Sequence, residues 1–184
     1  MMSVQPVASD IQLQAGTALP AGLKVLPEVE LYKHTGEKGT TEMLKGSWRL
    51  AYVGFTSCPD VCPTTLGIAK QIHKVLGDEA KKELIVTFIS IDPEYDTPEQ
   101  LNGYLGYFDP AFEGFTSDND NLDKLTLAMG AVYAKVPLSD DAYTMDHSTS
   151  LYLISPEGEV RAVFSNPTNA QQIAEDYLAL RGER

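Results

Sequence analysis

The sequence predicts an α/β domain with a mixed central sheet, made of a parallel core and a C-terminal antiparallel hairpin, and flanked by helices. Residues 50–55 and 84–91 are almost entirely apolar or β-branched, which is typical of parallel strands covered on both faces. A segment with apolar residues at helical spacing separates them, and Pro156-Glu-Gly158 joins two further strand-like segments. At 184 residues and 43% hydrophobic, the chain can bury one sizeable core.

Residues 1–27 are polar and rich in Ala, Gly and Pro, so we expect an N-terminal arm or linker before a domain that covers 28–184. A short strand is predicted over Glu28–Tyr32. His34 follows it in a turn, where we expect an exposed side chain rather than a metal ligand. Trp48 opens the first central strand as a packing residue.

The first long helix is predicted to begin at Pro63, because proline is favoured at the first helical position and disrupts a helix interior. It extends to Leu76, and Gly77 is suited to end it. His73 lies within this helix, and burial against the sheet or simple exposure is expected before metal binding.

The next helix should begin with Thr97 as its N-cap and Pro98 as its first residue, and run to about Phe108. Residues 112–115 are expected to form a short strand.

The acidic segment 118–123 superficially resembles a calcium loop, but Leu122 occupies a ligand position and no glycine follows it. The acidic residues instead favour the start of a helix that ends near Gly130. Met129 lies on the apolar face of this helix and is predicted to be core.

The C-terminal part should contain two further strands and a final helix. We predict a strand at 131–136, an acidic loop at 137–146 that leads directly into His147, hairpin strands at 150–155 and 159–164, and an amphipathic helix at 166–180.

The net charge of −12 argues against nucleic acid and anionic membranes as partners, since no cluster of basic residues interrupts it. No apolar run approaches the roughly 20 residues of a membrane span. Residues 1–26 lack the pattern of a signal peptide. The chain is expected to be a monomer.

The only two cysteines, Cys58 and Cys62, lie at the predicted turn from a strand into a helix. The free N–H groups and positive end of a helix N-terminus favour thiolate over thiol. The two sulfurs are near enough to share a soft metal ion such as Cu(I) or Zn(II), or to form a disulfide. A structural disulfide or two inert buried thiols are the alternatives.

Three segments together resemble the Sco (SenC) family of copper-binding proteins with a thioredoxin-like fold. They are Gly54-Phe-Thr-Ser-Cys-Pro-Asp-Val-Cys-Pro63, Ser90-Ile-Asp-Pro-Glu-Tyr-Asp-Thr-Pro-Glu99 and Asp146-His-Ser148. The resemblance runs from about Glu28 to the C-terminus and includes Leu151–Gly158.

With the resemblance, the candidate metal ligands become Cys58, Cys62 and His147. Two thiolates and one imidazole suit Cu(I) and can also hold Cu(II), whereas a structural zinc site normally has four ligands. If these residues are ligands, the structure should bring their three side chains together, and substituting any of them should weaken copper binding.

Four carboxylates near these motifs are candidates for supporting roles. Asp60 lies between the cysteines and is interpreted as modulating charge or contacting a partner, and Asp146 as orienting the His147 ring. For Asp92 and Asp96, hydrogen bonding within a turn is one interpretation. The resemblance implies instead a surface for partner docking.

The function that the resemblance implies is copper delivery to the dinuclear copper centre of cytochrome c oxidase, or reduction of the cysteines of that site. The implied partners are the copper-receiving subunit of the oxidase and another copper chaperone. The implied location is the periplasm, with the native chain anchored in the inner membrane.

Two other functions fit the cysteine pair. A thiol–disulfide oxidoreductase would cycle Cys58 and Cys62 between dithiol and disulfide, although the spacing is C-x-x-x-C and His147 is unnecessary for exchange. A disulfide-stapled binding module without metal is the third interpretation.

Overall fold

Most strands belong to one sheet, and the helices pack against it. The computed structural model describes residues 11–59 and 61–182, excluding the side chain of Val61. In this part of the chain the strands are β1 (Thr17–Ala18), β2 (Glu30–Lys33), β3 (Lys38–Thr40), β4 (Trp48–Gly54), β5 (Leu84–Ser90), β6 (Glu113–Thr116), β7 (Tyr133–Pro137), β8 (Tyr143–His147), β9 (Leu151–Ile154) and β10 (Val160–Phe164). The helices are α1 (Val61–Leu76), α2 (Ala80–Glu83), α3 (Pro98–Phe108), α4 (Asn119–Met129) and α5 (Ala170–Arg181), with a 3₁₀ turn at Thr41–Leu44.

The predicted mixed sheet is confirmed. Its strand order is β1-β10-β9-β4-β5-β6-β2-β3. β4, β5 and β6 are parallel, whereas β9 pairs antiparallel with β4 and β10. Every residue of β4 is buried, as expected for a central strand covered on both faces.

Helix α1 begins at Val61, two residues before the predicted start at Pro63. Pro63 is the third helical residue, where the missing N–H falls among the first-turn groups that have no partner within the helix, so proline is tolerated there. Cys62 therefore lies inside the first turn. The predicted end is correct, since Gly77 has a φ of 96° and donates its N–H to the His73 carbonyl.

The caps of α3 and α4 follow the predicted chemistry. Thr97 accepts a hydrogen bond from the backbone of Gln100 and precedes Pro98. Gly130 ends α4 in the left-handed region, and Met129 is fully buried. The last helix begins at Ala170, after Asn169 as N-cap, rather than at 166.

The predicted acidic loop over 137–146 is wrong in its second half. Residues 143–147 form β8, which pairs with β7 in a separate two-stranded antiparallel sheet. Tyr143, Met145 and His147 alternate with Thr144 and the exposed Asp146, and Met145 is buried in the core. His147 thus lies on a strand, not at the end of a loop.

Residues 11–27, which we predicted to belong to a loosely attached arm, contact the folded part of the chain. β1 pairs with β10, and Leu26 is buried. The buried carboxylate of Asp176 on α5 accepts the backbone N–H groups of Gln14, Ala15 and Gly16 at 2.7, 2.8 and 3.1 Å. The arm boundary at residue 27 stays a prediction.

None of the helices in the described ranges combines the length and the apolar character needed to cross a bilayer.

Candidate metal centre

Three side chains that are far apart in sequence converge at the carboxyl ends of the parallel strands, the usual place for functional groups in such sheets. One potential ligand atom from each of Cys58, Cys62 and His147 lies within 4.8 Å of the others. Cys62 Sγ is 3.6 Å from His147 Nε2. Cys62 is fully buried, Cys58 is buried at 9% exposure, and His147 is half-buried, so the group is most accessible at His147.

The His147 ring is oriented by its backbone and by two aromatic rings. Nδ1 lies 3.0 Å from the Ser148 carbonyl oxygen and donates to it, which leaves Nε2 with a lone pair facing Cys62. Tyr52 and Phe55 contact the imidazole edge-on, with ring centroids 5.9 and 5.6 Å away. The ring is therefore held with Nε2 directed towards the Cys62 sulfur.

Gly54, the last residue of β4, makes room for the sulfur of Cys62. A Cβ at this position would lie 2.7 Å from Cys62 Sγ, well inside van der Waals contact. The strand end and the first turn of α1 are thus packed directly against each other, and any side chain at residue 54 would displace the sulfur.

The pKa of Cys62 is raised, whereas we predicted that the helix N-terminus would lower it. Burial raises the pKa of the Cys62 thiol, and the nearby Cys58 sulfur adds to this effect, while a hydrogen bond with the Phe55 backbone opposes it. Desolvation disfavours the charged thiolate more than the helix N-terminus favours it. In the metal-free protein Cys62 is therefore held as a thiol, and a metal ion must displace its proton.

Asp96 holds the loop that leads to Cys58. Its carboxylate is fully buried and accepts hydrogen bonds from the Thr56 backbone N–H at 2.9 Å and from the Thr56 hydroxyl. The Ser90 hydroxyl, at the end of β5, donates to the same carboxylate at 2.6 Å. Thr56 precedes Cys58 by two residues, so these bonds attach the cysteine loop to the sheet.

Asp92 holds the strand that carries His147. It is 5% exposed, and both of its carboxylate oxygens accept the Tyr143 hydroxyl, at 2.8 and 3.0 Å. Burial raises the pKa of Asp92, and the Tyr143 hydrogen bond opposes that rise. We gave Asp92 and Asp96 two possible roles, hydrogen bonding within a turn and partner docking, and their burial and hydrogen bonds fit the first.

Two other predictions about carboxylates have different outcomes. Asp146 is exposed on the opposite face of β8. His147 Nδ1 donates to the Ser148 carbonyl and not, as we expected, to the Asp146 carboxylate. The prediction fails because neighbouring residues of a strand point to opposite faces. Asp60 lies outside the described residues, so its assignment stays a prediction.

The other two histidines make hydrogen bonds elsewhere. His73 is buried, as one of our two expectations had it, and its Nε2 donates to the Leu84 carbonyl at 2.6 Å. His34 is half-buried rather than exposed, and its Nδ1 accepts the Gly114 N–H at 3.2 Å.

Sequence reasoning missed the aromatic and hydroxyl residues that support the site, which are Tyr52, Phe55, Thr56, Ser90 and Tyr143. One signal was available for Tyr143. Tyr143, Met145 and His147 alternate with Thr144 and Asp146, and a β-prone segment precedes them, which is typical of a hairpin.

The donor set fits a soft metal ion. An ion held by two sulfurs and one nitrogen at bond lengths of about 2.0–2.3 Å separates its trigonal ligand atoms by about 4 Å, close to the spacing seen here. Thiolate and imidazole ligands suit Cu(I), Cu(II) and Zn(II), and three ligands with one open side suit exchange better than permanent structural binding.

Comparison with known protein families identifies the chain. The family model described as SCO1/SenC matches residues 19–180, which is most of the sequence. The chain belongs to the SCO1/SenC family.

Related Sco proteins have similar sequences and folds. The SCO2-like protein of Rickettsia felis is 37% identical over 155 residues, which are 83% of this chain and 75% of that protein. The copper-bound structure of Bradyrhizobium japonicum ScoI is 34% identical, with a TM-score of 0.75 over 84% of this chain and 98% of that one. Copper-bound ScoI from Arabidopsis thaliana is 26% identical, with a TM-score of 0.79 over 87% and 99% of the two chains.

Proposed function

We propose that this Sco protein binds one copper ion through Cys58, Cys62 and His147 and delivers it to a partner protein. The convergence of the three ligand atoms within 4.8 Å supports this proposal most directly. The copper-bound structures of the related ScoI proteins support copper as the ion. The donor set, in which soft sulfurs are paired with one imidazole, is compatible with copper as the cargo.

The unequal exposure of the ligands suits transfer. Both cysteines are buried, whereas His147 is half-buried, so an incoming ligand can reach the ion from the side of His147. A shallow cavity of about 240 Å³ lies beside His147 and is lined by Val132, Tyr133, Ala134, Asp146 and Ser148. A partner that docks there would place its own ligands near the imidazole.

Within this proposal, the acceptor is the copper-receiving subunit of cytochrome c oxidase, and the ion supplies its dinuclear centre. Another copper chaperone would load the site. The proposed location is the periplasm, with the native chain anchored in the inner membrane and acting as a monomer. These assignments depend on family membership and on the open, three-ligand site.

The first test is anaerobic titration of the reduced protein with Cu(I) in competition with a chelator. We expect one ion per chain. Cys58→Ser, Cys62→Ser and His147→Ala should each weaken binding, whereas His34→Ala removes a histidine outside the group and should not. Stoichiometry well below one, or full affinity in Cys58→Ser, would refute the proposal.

Thiol–disulfide exchange is the second candidate function, because the two free sulfurs lie within 4.8 Å of each other. In that reaction Cys58 and Cys62 form a disulfide while a partner disulfide takes up two electrons and two protons and becomes two thiols. Full reductase activity of His147→Ala on a protein disulfide, together with no effect of copper, would favour this function over delivery.

A further inference from the structure

Two carboxylates four residues apart hold the two halves of the candidate metal centre. Asp96 binds the cysteine loop through Thr56, and Asp92 binds the histidine strand through Tyr143. The Asp96 N–H donates to the Asp92 carbonyl at 2.8 Å, so the carboxylates belong to one tight turn. This turn, residues 90–96, is called the bracket.

The bracket is itself fixed to the sheet. The Ser90 hydroxyl, at the end of β5, donates to Asp96 and accepts the Asp92 N–H at 3.2 Å. The Ile91 N–H donates to the Gly54 carbonyl at 3.0 Å, at the end of the neighbouring strand β4. The bracket is thus a rigid reference for both ligand-bearing elements.

Strand β8 needs such a reference because, in the described part of the chain, it forms no ladder with the main sheet. Among the described residues, β8 pairs only with β7, in the separate hairpin. Tyr143 and His147 lie on the same inward face of β8 and are separated by Met145. Fixing the Tyr143 hydroxyl therefore fixes the position of the imidazole two side chains further along the same face.

One face of the Tyr143 ring is also covered, by the side chain of Lys135. The Lys135 ammonium lies 4.0 Å from the centroid of the Tyr143 ring and pairs with Glu94 of the bracket at 3.3 Å. A second contact, from the Tyr133 hydroxyl to Asp123, joins the hairpin to α4, but Asp123 is exposed and such a bond contributes little. The Asp92–Tyr143 hydrogen bond is part-buried, less exposed than the Tyr133–Asp123 contact, and is the stronger attachment of the two.

We propose that Tyr143 and Asp92 are positioning residues, whose hydrogen bond sets the distance between the His147 imidazole and the cysteine sulfurs. This inference rests on the proposed function for its meaning in copper binding. The positioning itself is a property of the metal-free protein and is testable without copper.

The test uses variants that remove one side of the hydrogen bond or keep it. Tyr143→Phe removes the donor, and Asp92→Ala removes the acceptor. Asp92→Asn keeps an amide oxygen that can accept the same hydroxyl. Tyr32→Phe is the matched control, because it removes a tyrosine–carboxylate bond to Glu30 on a strand at the far side of the sheet.

The first readout is the NMR spectrum of the reduced, metal-free protein. Contacts between the protons of the His147 and Phe55 rings report the imidazole position. We expect them in the wild type, Asp92→Asn and Tyr32→Phe, and weakened or absent in Tyr143→Phe and Asp92→Ala. Unchanged ring contacts in folded Tyr143→Phe and Asp92→Ala would overturn the inference.

The second readout is Cu(I) affinity measured by chelator competition. Supporting groups behind metal ligands typically change affinity by about 10- to 100-fold, so we expect at least a tenfold loss in Tyr143→Phe and Asp92→Ala. In the His147→Ala background, the same substitutions should cause no further loss. An equal further loss there would show that they act on the fold in general and would overturn the positioning role.

The two proposals fail in different ways. If the wild-type protein does not bind copper, the proposed function is wrong, but the ring contacts still decide whether Asp92 and Tyr143 position His147. If copper binds as proposed and neither substitution changes the ring contacts or affinity, the positioning role alone is wrong.

Discussion

At the scale of single residues, the absence of a side chain at Gly54 is as important as the presence of the ligands. The Cys62 sulfur occupies the volume that a Cβ would take, at 2.7 Å from its ideal position. The adjacent Tyr52 and Phe88 side chains also approach this point, at 3.2 Å each, so the sulfur has little space to move. Close packing of this kind transmits small changes in volume directly to the site.

Gly54→Ala should therefore disturb both stability and metal binding. We expect a loss of about 1–3 kcal/mol in the free energy of unfolding, the usual cost of overpacking, and weaker copper binding. Denaturant unfolding and chelator competition measure the two effects. Gly67→Ala, in α1 with nothing within 4 Å of the new Cβ, should instead be neutral or add about 0.5–1 kcal/mol. Wild-type copper affinity in Gly54→Ala would contradict this account.

The residue types that bear the metal chemistry were predictable, but most of their supports were not. Cys58, Cys62 and His147 are distinctive as potential soft-metal ligands in the sequence. Thr56 and Tyr143 are ordinary residue types, and their functions depend on hydrogen bonds to carboxylates 40 and 51 residues away. No local periodicity encodes such a pairing.

At the scale of elements, α1 and β5 are linked through a buried, neutral imidazole. His73 donates from Nε2 to the Leu84 carbonyl at the start of β5 and contacts the Phe112 ring edge-on. Burial lowers the pKa of His73, and Lys81 lowers it too, whereas the Leu84 carbonyl and Asp109 oppose the shift. The folded protein therefore binds a proton at His73 less readily than the unfolded chain does.

This difference predicts a pH dependence of stability. The contribution of neutral His73 is present above the unfolded pKa of 6.5 and is lost as the pH falls below it, because the unfolded chain then takes up more protons. The free energy of unfolding should fall between pH 7 and 5. His73→Gln should flatten this slope, and denaturant titrations at several pH values measure it.

The matched control for this experiment is His34, whose pKa is also lowered by burial and by Lys33. Because His34 is only half-buried, His34→Gln should flatten the slope less than His73→Gln. A slope that His73→Gln leaves unchanged would contradict the assignment of the buried imidazole.

Elements with strong local signals were predicted well. The two central strands are continuous apolar runs, and α3 and α4 carry the capping residues that end or begin helices. The hairpin of β7 and β8 was missed in part, since its second strand contains polar and acidic residues that favour a loop in isolation. Packing of Met145 into the core and pairing with β7 override that local preference.

At the scale of the whole molecule, the two ends of the described chain are joined through Asp176. Its buried carboxylate on α5 accepts three consecutive backbone N–H groups, from Gln14 to Gly16, close to β1. All ten strands of the described chain lie between Gly16 and Asp176. The contact therefore closes the fold between segments about 160 residues apart.

Asp176→Ala should remove the three hydrogen bonds between α5 and residues 14–16. Hydrogen bonds to a charged group contribute about 1.5–3 kcal/mol, and we expect a loss in this range, since water can rebind the released N–H groups. Hydrogen exchange at Ala15 and Gly16 should accelerate, and denaturant unfolding should show the lower stability. Glu175→Ala removes only exposed contacts, with Gln14 and Gln171, and should change stability by less than about 0.5 kcal/mol. Equal effects of the two substitutions would refute the role of Asp176.

The separate two-stranded sheet divides the molecule into parts that need not open together. The amides of β7 and β8 depend on each other, whereas those of β4 and β5 lie in the centre of eight strands. Local opening of the hairpin should therefore require less free energy than global unfolding, and its amides should exchange in an earlier, distinct cooperative unit. Such an opening would move His147 away from the sulfurs and withdraw Met145 from the core, while the eight-stranded sheet stays paired.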